Sequence, residues 1–382
     1  MRALVILILS LTGCAALCAG ESSTVVTWHG GPLQSASAIA TANGATGVVW
    51  RGGQSFSYLA PGRAVVTTPL VTASNLPATA VAMAPDGRGV LVDRSLDVRT
   101  FDANGTVASV PKLADGSANA TPKVVFDGTH FVVVWTQENA VWLARIAITG
   151  EVVTAAAPVG SGPADCPRAA DVFATTFADG FMWIAWFGGT NDEPVVIAGR
   201  VMDGRVIDTV PIPIENMLGT GCNGSARLAI AGSGANALVG ARRYDSESRT
   251  EDIVIPLRND GVVGEPVVVP AGNLIEMPAG FAIATSTDFE AFPSSAVIGI
   301  VELDATGAEI DDYIVYGGAT PVYASDESGL AIAGVINADD GDDRGHSTLG
   351  VTLVDGQQAP AMPIWTTMLT REEHTVCEPS LQ

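Results

Sequence analysis

Short apolar segments alternate with turns rich in glycine, aspartate and asparagine along most of the chain. Residues 127–152, DGTHFVVVWTQENAVWLARIAITGEV, show the pattern: a tight turn, an apolar run, a short polar break, a second apolar run and a Thr-Gly turn. Apolar runs of about four to seven residues, rich in Val, Ile, Phe and Trp and bounded by such turns, predict β-strands. Beyond the N-terminal segment, no window has a convincing helical period. The pattern therefore predicts an all-β protein.

The strands recur as a unit of four segments, with a glycine in the turn between the third and the fourth. Those glycines are Gly62, Gly105, Gly150, Gly204, Gly261, Gly307 and Gly356. A repeat of about 40–50 residues with four short strands is typical of a β-propeller, whereas tandem β-sandwich domains, the competing fold, show no such self-similarity. We expect a propeller of seven four-stranded blades over residues 35–367. Six or eight blades stay open, because the copies that begin at Gly280 and Pro321 are irregular.

The segments that flank the repeats bear on how the ring closes. A four-stranded blade buries its faces only against neighbouring blades, and closure of the ring covers the last of them. The segment STVVTWHGG lies within residues 14–34 and is predicted to supply the outer strand of the last blade. Closure by a C-terminal strand stays open. Residues 368–382 are expected to form a tail.

The first residues of the chain, MRALVILILSLTGCAALCAG, are typical of an export signal. One arginine precedes an apolar run from Ala3 to Leu9, which is too short to span a bilayer and suits the core of a signal peptide. One interpretation is an ordinary secretory signal that is cut after Ala19, although Leu17 fits its small-residue site poorly.

The other interpretation rests on Leu11-Thr12-Gly13-Cys14, which resembles the bacterial lipobox. The resemblance implies a signal peptide of residues 1–13 and a lipid anchor on Cys14, and two or more acyl chains anchor a protein stably. Because Ala15 rather than an aspartate follows, it also implies a lipoprotein of the outer membrane. We expect a lipid-anchored protein of the cell envelope.

Two stretches resemble repeats of known propellers. FDGTHFVVVW, followed by an Ala-Arg pair and a Gly turn in the same unit, resembles propeller-like repeats of secreted bacterial proteins. APDGRG, residues 84–89, resembles the Pro-Asp-Gly turn of propeller repeats in periplasmic assembly proteins. These resemblances imply a fold and secretion, and they bring no catalytic residue with them.

The chain carries a net charge of -22, which argues against nucleic acid as a partner because phosphates need a cationic surface. Loops after second strands and loops between blades share one face of a propeller, and the later ones here are acidic. The acidic residues of this predicted face are Asp192, Glu193, Asp245, Glu247, Glu251, Asp252, Asp288, Glu290, Asp339, Asp340, Asp342 and Asp343. Oxygen ligands on adjacent loops suit Ca²⁺, so the last four are candidate metal ligands; solvated loop tips are the alternative.

The chain has five cysteines, and four remain for disulfides if Cys14 is lipidated. Cys166 and Cys222 each precede a new unit, so they are predicted to form a disulfide on the acidic face. Cys18 and Cys377 form a second predicted pair, which would join the two termini.

Other candidate residues have mainly structural interpretations. Trp50, Trp135 and Trp186 each end a second strand, which predicts packing between blades. His346 shares a loop with carboxylates, where it is either a metal ligand or a solvated side chain. The sequence contains no Gly-x-Ser-x-Gly elbow, His-Glu-x-x-His motif or dinucleotide fingerprint.

These patterns favour a non-catalytic binding or scaffolding module that recognises an envelope protein or glycan through its acidic loop face, with Ca²⁺ as a candidate cofactor. The alternative is a polysaccharide hydrolase or lyase that uses carboxylates in the central funnel. Such an enzyme should place acids along the first strands, and the first strands predicted here are rich in Ala, Val and Thr. A purely structural envelope protein is the third hypothesis.

Overall fold

The computed structural model describes residues 22–27, 36–50, 53–61, 63, 65–70, 78–110, 113, 121–137, 140–161, 173–178, 180–189, 194–212, 214, 228–244, 250–278, 280–287, 296–317, 319–338, 346–354, 365–369 and 372–376. Regular structure in these residues consists of 30 strands, β1 to β30. No helix in this part of the chain is long and apolar enough to cross a membrane.

After β1 (Ser22–Thr27), the chain forms three four-stranded antiparallel sheets, blades 1 to 3. Blade 1 has β2 (Ala38–Ala42), β3 (Ala45–Trp50), β4 (Ser55–Leu59) and β5 (Val66–Pro69). Blade 2 has β6 (Ala78–Met83), β7 (Gly89–Asp93), β8 (Val98–Phe101) and β9 (Val107–Ser109). Blade 3 has β10 (Lys123–Phe126), β11 (His130–Gln137), β12 (Ala140–Ala147) and β13 (Val152–Ser161).

Three further four-stranded sheets follow. Blade 4 has β14 (Phe173–Ala178), β15 (Phe181–Gly189), β16 (Pro194–Met202) and β17 (Arg205–Ile212). Blade 5 has β18 (Leu228–Ser233), β19 (Asn236–Tyr244), β20 (Thr250–Arg258) and β21 (Val267–Val269). Blade 6 has β22 (Asn273–Met277), β23 (Gly280–Thr287), β24 (Ala296–Leu303) and β25 (Glu309–Gly317).

The seventh sheet, blade 7, joins the first and the last strands that the structure describes. It has β26 (Ala319–Asp326), β27 (Gly329–Ala338), β28 (His346–Val354), β29 (Trp365–Leu369) and β30 (Glu372–Val376), in the order β26-β27-β28-β1-β29-β30. Strand β1 pairs antiparallel with β28 and parallel with β29. The N-terminal strand thus takes the fourth position in this blade, as the segment before the repeats predicted. Strand β1 lies within residues 14–34, where this closing strand was predicted, whereas the sheet runs past residue 367 into the predicted tail.

The blades form a closed ring. The first strands pack in succession, β2 on β6, β6 on β10, β10 on β14, β14 on β18, β18 on β22, β22 on β26 and β26 back on β2. The predicted all-β propeller is therefore confirmed, with six four-stranded blades and a closing sheet of six strands.

The hydrophobic core is divided into clusters between neighbouring blades. Trp135 packs with apolar side chains of blades 2 and 3, and Trp50 packs with Ala333 across the junction of blades 7 and 1. Trp186 belongs to a cluster of blades 3 and 4. All three indoles are at most 4% exposed, which confirms their predicted core position.

Five of the predicted repeat glycines lie in the turns between third and fourth strands, each with positive φ: Gly105, Gly150, Gly204, Gly261 and Gly307. Gly62 and Gly356 lie outside the described residues. At Gly150 the φ of 91° and the close approach of Val110, whose Cγ1 would lie 2.4 Å from an added Cβ, both require glycine.

Candidate functional site

The central channel contains a cavity at the ends of the seven first strands, which we name the axial cavity. Its volume is about 710 Å³, and all seven first strands and six of the turns after them contribute to its wall. Ala, Val, Ile and Thr make up nearly half of the lining residues. Three carboxyl side chains line it, those of Glu276, Asp326 and Glu327, and the described lining residues include no Lys, Arg or His. Cavities of this size are typical of small-molecule and side-chain binding sites.

Glu276, on β22, is exposed within the axial cavity, and the protein atoms around that cavity surround its carboxyl group. The Thr176 hydroxyl of blade 4 donates a hydrogen bond to Glu276 Oε2 at 3.4 Å, and the Gly232 amide of blade 5 also donates to the carboxyl group. Burial raises the pKa of Glu276 to about 7, and these two hydrogen bonds offset only part of that rise. Near neutral pH the carboxyl group therefore exchanges readily between its neutral and charged forms.

Asp326, at the end of β26, connects blade 7 to blade 1. Its Oδ2 accepts hydrogen bonds from the Thr41 hydroxyl at 2.9 Å and from the Gly44 amide at 3.0 Å. Its Oδ1 accepts from the amide and the hydroxyl of Ser328. Both oxygens are thus occupied at the junction where the ring closes, which indicates a structural role for this carboxylate. Glu327, in the turn, is exposed.

A second cavity, which we name the lysine cavity, lies at the opposite ends of the first strands. Its volume is about 460 Å³, and its wall comes from blades 3 to 6. Lys123, the first residue of β10, lines it, with Nζ 5.8 Å from the centroid of the Phe173 ring. Burial lowers the pKa of Lys123. Asp252 lies in the same wall.

Two acidic residues of the predicted loop face lie in strand β20 and are ion-paired. Asp252 Oδ1 is 2.5 Å from Arg242 Nε, and Glu251 Oε1 is 2.6 Å from Arg243 Nε. The Gly272 amide also donates to Asp252 Oδ2. Glu251 and Asp252 therefore neutralise arginines of β19 and are poorly placed to bind a cation.

The FDGTHF motif forms a structural ion pair. Asp127 Oδ1 accepts from the amides of Thr129 and His130, and Asp127 Oδ2 accepts from Arg145 Nη2 at 2.8 Å. Burial alone raises the pKa of Asp127, but these hydrogen bonds outweigh it and the net pKa is lowered. Arg145 Nη1 also reaches Asp203 of blade 4 at 3.4 Å. The motif therefore closes a hairpin and joins two blades.

Most predicted site residues lie outside the described residues: Cys14, Cys18, Cys166, Cys222, Cys377, Asp339, Asp340, Asp342, Asp343, Asp192, Glu193, Asp245, Glu247, Asp288 and Glu290. The lipid anchor, both disulfides and the calcium site therefore stay predictions. His346 begins β28. Within the described part of the chain, no group of three His, Cys, Asp or Glu residues is arranged to hold a metal.

The sequence did not single out Glu276, Asp326 or Lys123. The sixth unit was placed from Gly280 onward, whereas its first strand, β22 with the sequence NLIEM, precedes that glycine. These three are the only charged residues in the seven first strands that the structure describes. A charged residue within an otherwise uncharged first strand was therefore the signal that could have identified them.

No protein-family model matches the sequence, and no curated protein matches it significantly. Among solved structures, streptogramin B lyase covers 86% of this chain and 97% of its own, with 11% identity and a TM-score of 0.51. The WD40 β-propeller domain of Doa1 covers 87% and 97%, with 9% identity and a TM-score of 0.50. PorZ, a surface component of the type-IX secretion system of Porphyromonas gingivalis, covers 88% and 39%, with 12% identity and a TM-score of 0.48. At such identities the first two similarities show the propeller fold alone.

Proposed function

We propose that this protein is a non-catalytic binding module of the bacterial cell envelope, anchored in the outer membrane through Cys14, and that its axial cavity takes up a basic group of an envelope protein. The observation that carries the proposal is the lining of the axial cavity, with three carboxyl side chains and no basic one among the described residues. A guanidinium or ammonium group complements such a wall.

The backbone of the propeller supports the same ligand chemistry. Each first strand pairs with a second strand on one side only, so its other edge faces the channel. Carbonyl groups on that edge accept hydrogen bonds from a cation that enters the axial cavity. The net charge of -22 would also speed the approach of a basic partner and repel acidic ones.

The test uses N-acetyl-arginine amide as a probe with one guanidinium group and no other charge. Glu276→Gln should weaken its binding at pH 8 by about tenfold, because the variant lacks a charge-assisted partner for the guanidinium. Glu309→Gln is the matched control: Glu309 is exposed on β25 of the same blade, and the substitution changes the net charge equally. Equal binding by the two variants would place the probe outside the axial cavity.

A polysaccharide hydrolase or lyase is the second candidate function, and the raised pKa of Glu276 favours it. A carboxylic acid with a pKa of about 7 is suited to donate a proton to a leaving group at neutral pH. The paired mechanism of glycosidases needs a second carboxylate, and both oxygens of Asp326 are occupied by hydrogen bonds. Release of reducing ends or unsaturated sugars from envelope polysaccharide, lost in Glu276→Gln, would replace binding by catalysis as the function.

The acidic loop face remains a separate proposal with Ca²⁺ as its ligand. Saturating Ca²⁺, at about 100-fold above its Kd, should stabilise the folded protein by about 2.7 kcal/mol, and chelator should reverse the rise in Tm. Replacement of Asp339, Asp340, Asp342 and Asp343 by Asn should abolish the rise. If Ca²⁺ leaves the Tm of the parent protein unchanged, these aspartates are solvated loop tips and the calcium proposal fails.

A further inference from the structure

Lys123 is one of two lysines in the chain, the other being Lys112, and it lies at the mouth of the lysine cavity. Its residue is only partly exposed, and protein surrounds most of the side chain. Lysine keeps its ammonium group in water wherever the chain allows it, because a buried cation without a counter-charge is unfavourable. The placement of Lys123 therefore needs a physical explanation.

The described residues supply no counter-charge. Lys123 Nζ forms no hydrogen bond or ion pair with them, and it lies over the face of the Phe173 ring in a cation–π contact. The strands that pack on β10 are β6, β11 and β14. Their only ionisable side chain is His130, at the far end of β11, since Lys123 pairs with Val134. Asp252, the other charged residue of the cavity, is already paired with Arg242.

One part of the remaining wall is apolar, and other parts present polar groups. Phe173, Leu228, Leu274 and Ile283 line the lysine cavity, and its volume of about 460 Å³ suits a small molecule. A buried ammonium group beside an apolar wall matches a ligand with one negative charge and a hydrocarbon body.

We propose that the lysine cavity is a second ligand site, which binds a small organic monocarboxylate with its carboxylate on Lys123 Nζ and its hydrocarbon body on the apolar wall. This site adjoins the axial cavity, because Thr175, Ile230 and Leu274 line both, but it lies toward the other ends of the first strands and has the opposite charge preference. Carboxylate binding would supply the counter-charge that the described residues lack, and it would favour the ammonium form of Lys123.

The two lysines make a direct test possible. The full chain labelled with ¹³C at lysine Cε gives one signal for Lys123 and one for Lys112, and each reports the titration of its own amino group. Without ligand, Lys123 should titrate at lower pH than Lys112, since burial lowers its pKa. With 3-phenylpropionate, the midpoint for Lys123 should rise by at least one pH unit and that for Lys112 should not change.

Two controls separate a carboxylate site from a merely apolar cavity. The neutral isostere 3-phenylpropanamide should leave the Lys123 midpoint unchanged, and Lys123→Met, which keeps a linear side chain, should weaken 3-phenylpropionate binding at least tenfold in a calorimetric titration. An unresponsive Lys123 signal, or equal binding of acid and amide, would overturn the proposal. A Tm of Lys123→Met at or above that of the parent protein confirms that the variant is folded; if the variant is unfolded, the titration of the parent protein decides alone.

Discussion

At the scale of single residues, the same physical cause acts on two ionisable side chains in opposite directions. Glu276 and Lys123 both occupy innermost strands, where burial disfavours charge. The carboxyl pKa rises and the amine pKa falls, so both groups move toward their neutral forms. Their neighbours differ: Glu276 accepts hydrogen bonds from two other blades, whereas Lys123 only faces an aromatic ring.

The raised pKa of Glu276 predicts a particular pH dependence of stability. From the ordinary value of 4.5 up to about 7, the folded state binds more protons than the unfolded state, so stability falls as pH rises through this window. Glu276→Gln should match the parent at pH 4.5 and exceed it by roughly 1 kcal/mol at pH 8, after allowance for screening by channel water. Urea unfolding at both pH values measures the difference. If Glu309→Gln stabilises the protein equally at pH 8, the stabilisation does not come from the raised pKa of Glu276.

Arg145 tests the interpretation of the FDGTHF motif as a structural ion pair. Arg145→Met leaves the buried Asp127 carboxylate without its cation, so we expect a loss of about 3 kcal/mol in the free energy of unfolding at pH 7. Arg88→Met is the control, because the Arg88–Asp86 pair is 45% exposed on both sides and should contribute much less to stability than the Arg145–Asp127 pair. The same small loss in both variants would contradict the structural role of Arg145.

At the scale of strands and turns, local chemistry made the blade predictable. Turn glycines and short apolar runs identified most of the strands, because both depend on a few neighbouring residues. The pattern failed at β22, where Glu276 interrupts the apolar run of NLIEM. The two cavities could not be predicted, since residues such as Thr176 and Glu276 meet only when separate blades close around one axis.

Substitution of two glycines with positive φ, Gly180 and Gly150, allows the effect of backbone strain to be measured apart from that of steric crowding. Gly180, with φ of 79°, has no heavy atom within 4 Å of an added Cβ, whereas at Gly150 the Val110 side chain would clash. Gly180→Ala should destabilise the protein by about 1 kcal/mol through strain alone. Gly150→Ala should lose about 3 kcal/mol, because crowding adds to strain. Thermal unfolding compares the two; equal losses would mean that the turn at Gly150 relaxes freely.

At the scale of the whole molecule, the N-terminal strand closes the ring between β28 and β29. Strand β1 pairs on both sides, so the amide of each of its residues donates a hydrogen bond to β28 or to β29. Val25→Pro removes one of these hydrogen bonds and should lower the free energy of unfolding by about 2–3 kcal/mol. Val25→Ala controls for the lost side chain. Limited proteolysis and Tm should both show a weakened propeller in Val25→Pro; indistinguishable variants would mean that β1 is dispensable for closure.

The predicted anchor gives this closure a further consequence. Cys14 precedes β1, which begins at Ser22, so a lipid on that cysteine would attach the membrane to the strand that holds the ring together. The lipobox and the strand pattern together predict this connection. The proposed binding site in the axial cavity, by contrast, follows from the closed ring, because no single repeat contains it.

The most direct test of the binding proposal is the number of protons released when a cation enters the axial cavity. Calorimetric titration with N-acetyl-arginine amide at pH 7, in phosphate and in Tris, gives that number from the difference in heat. With a Glu276 pKa of about 7, binding to the carboxylate should release about half a proton per ligand, and Glu276→Gln should release none. Binding without proton release, or the same release in Glu276→Gln, would contradict a basic group bound at Glu276.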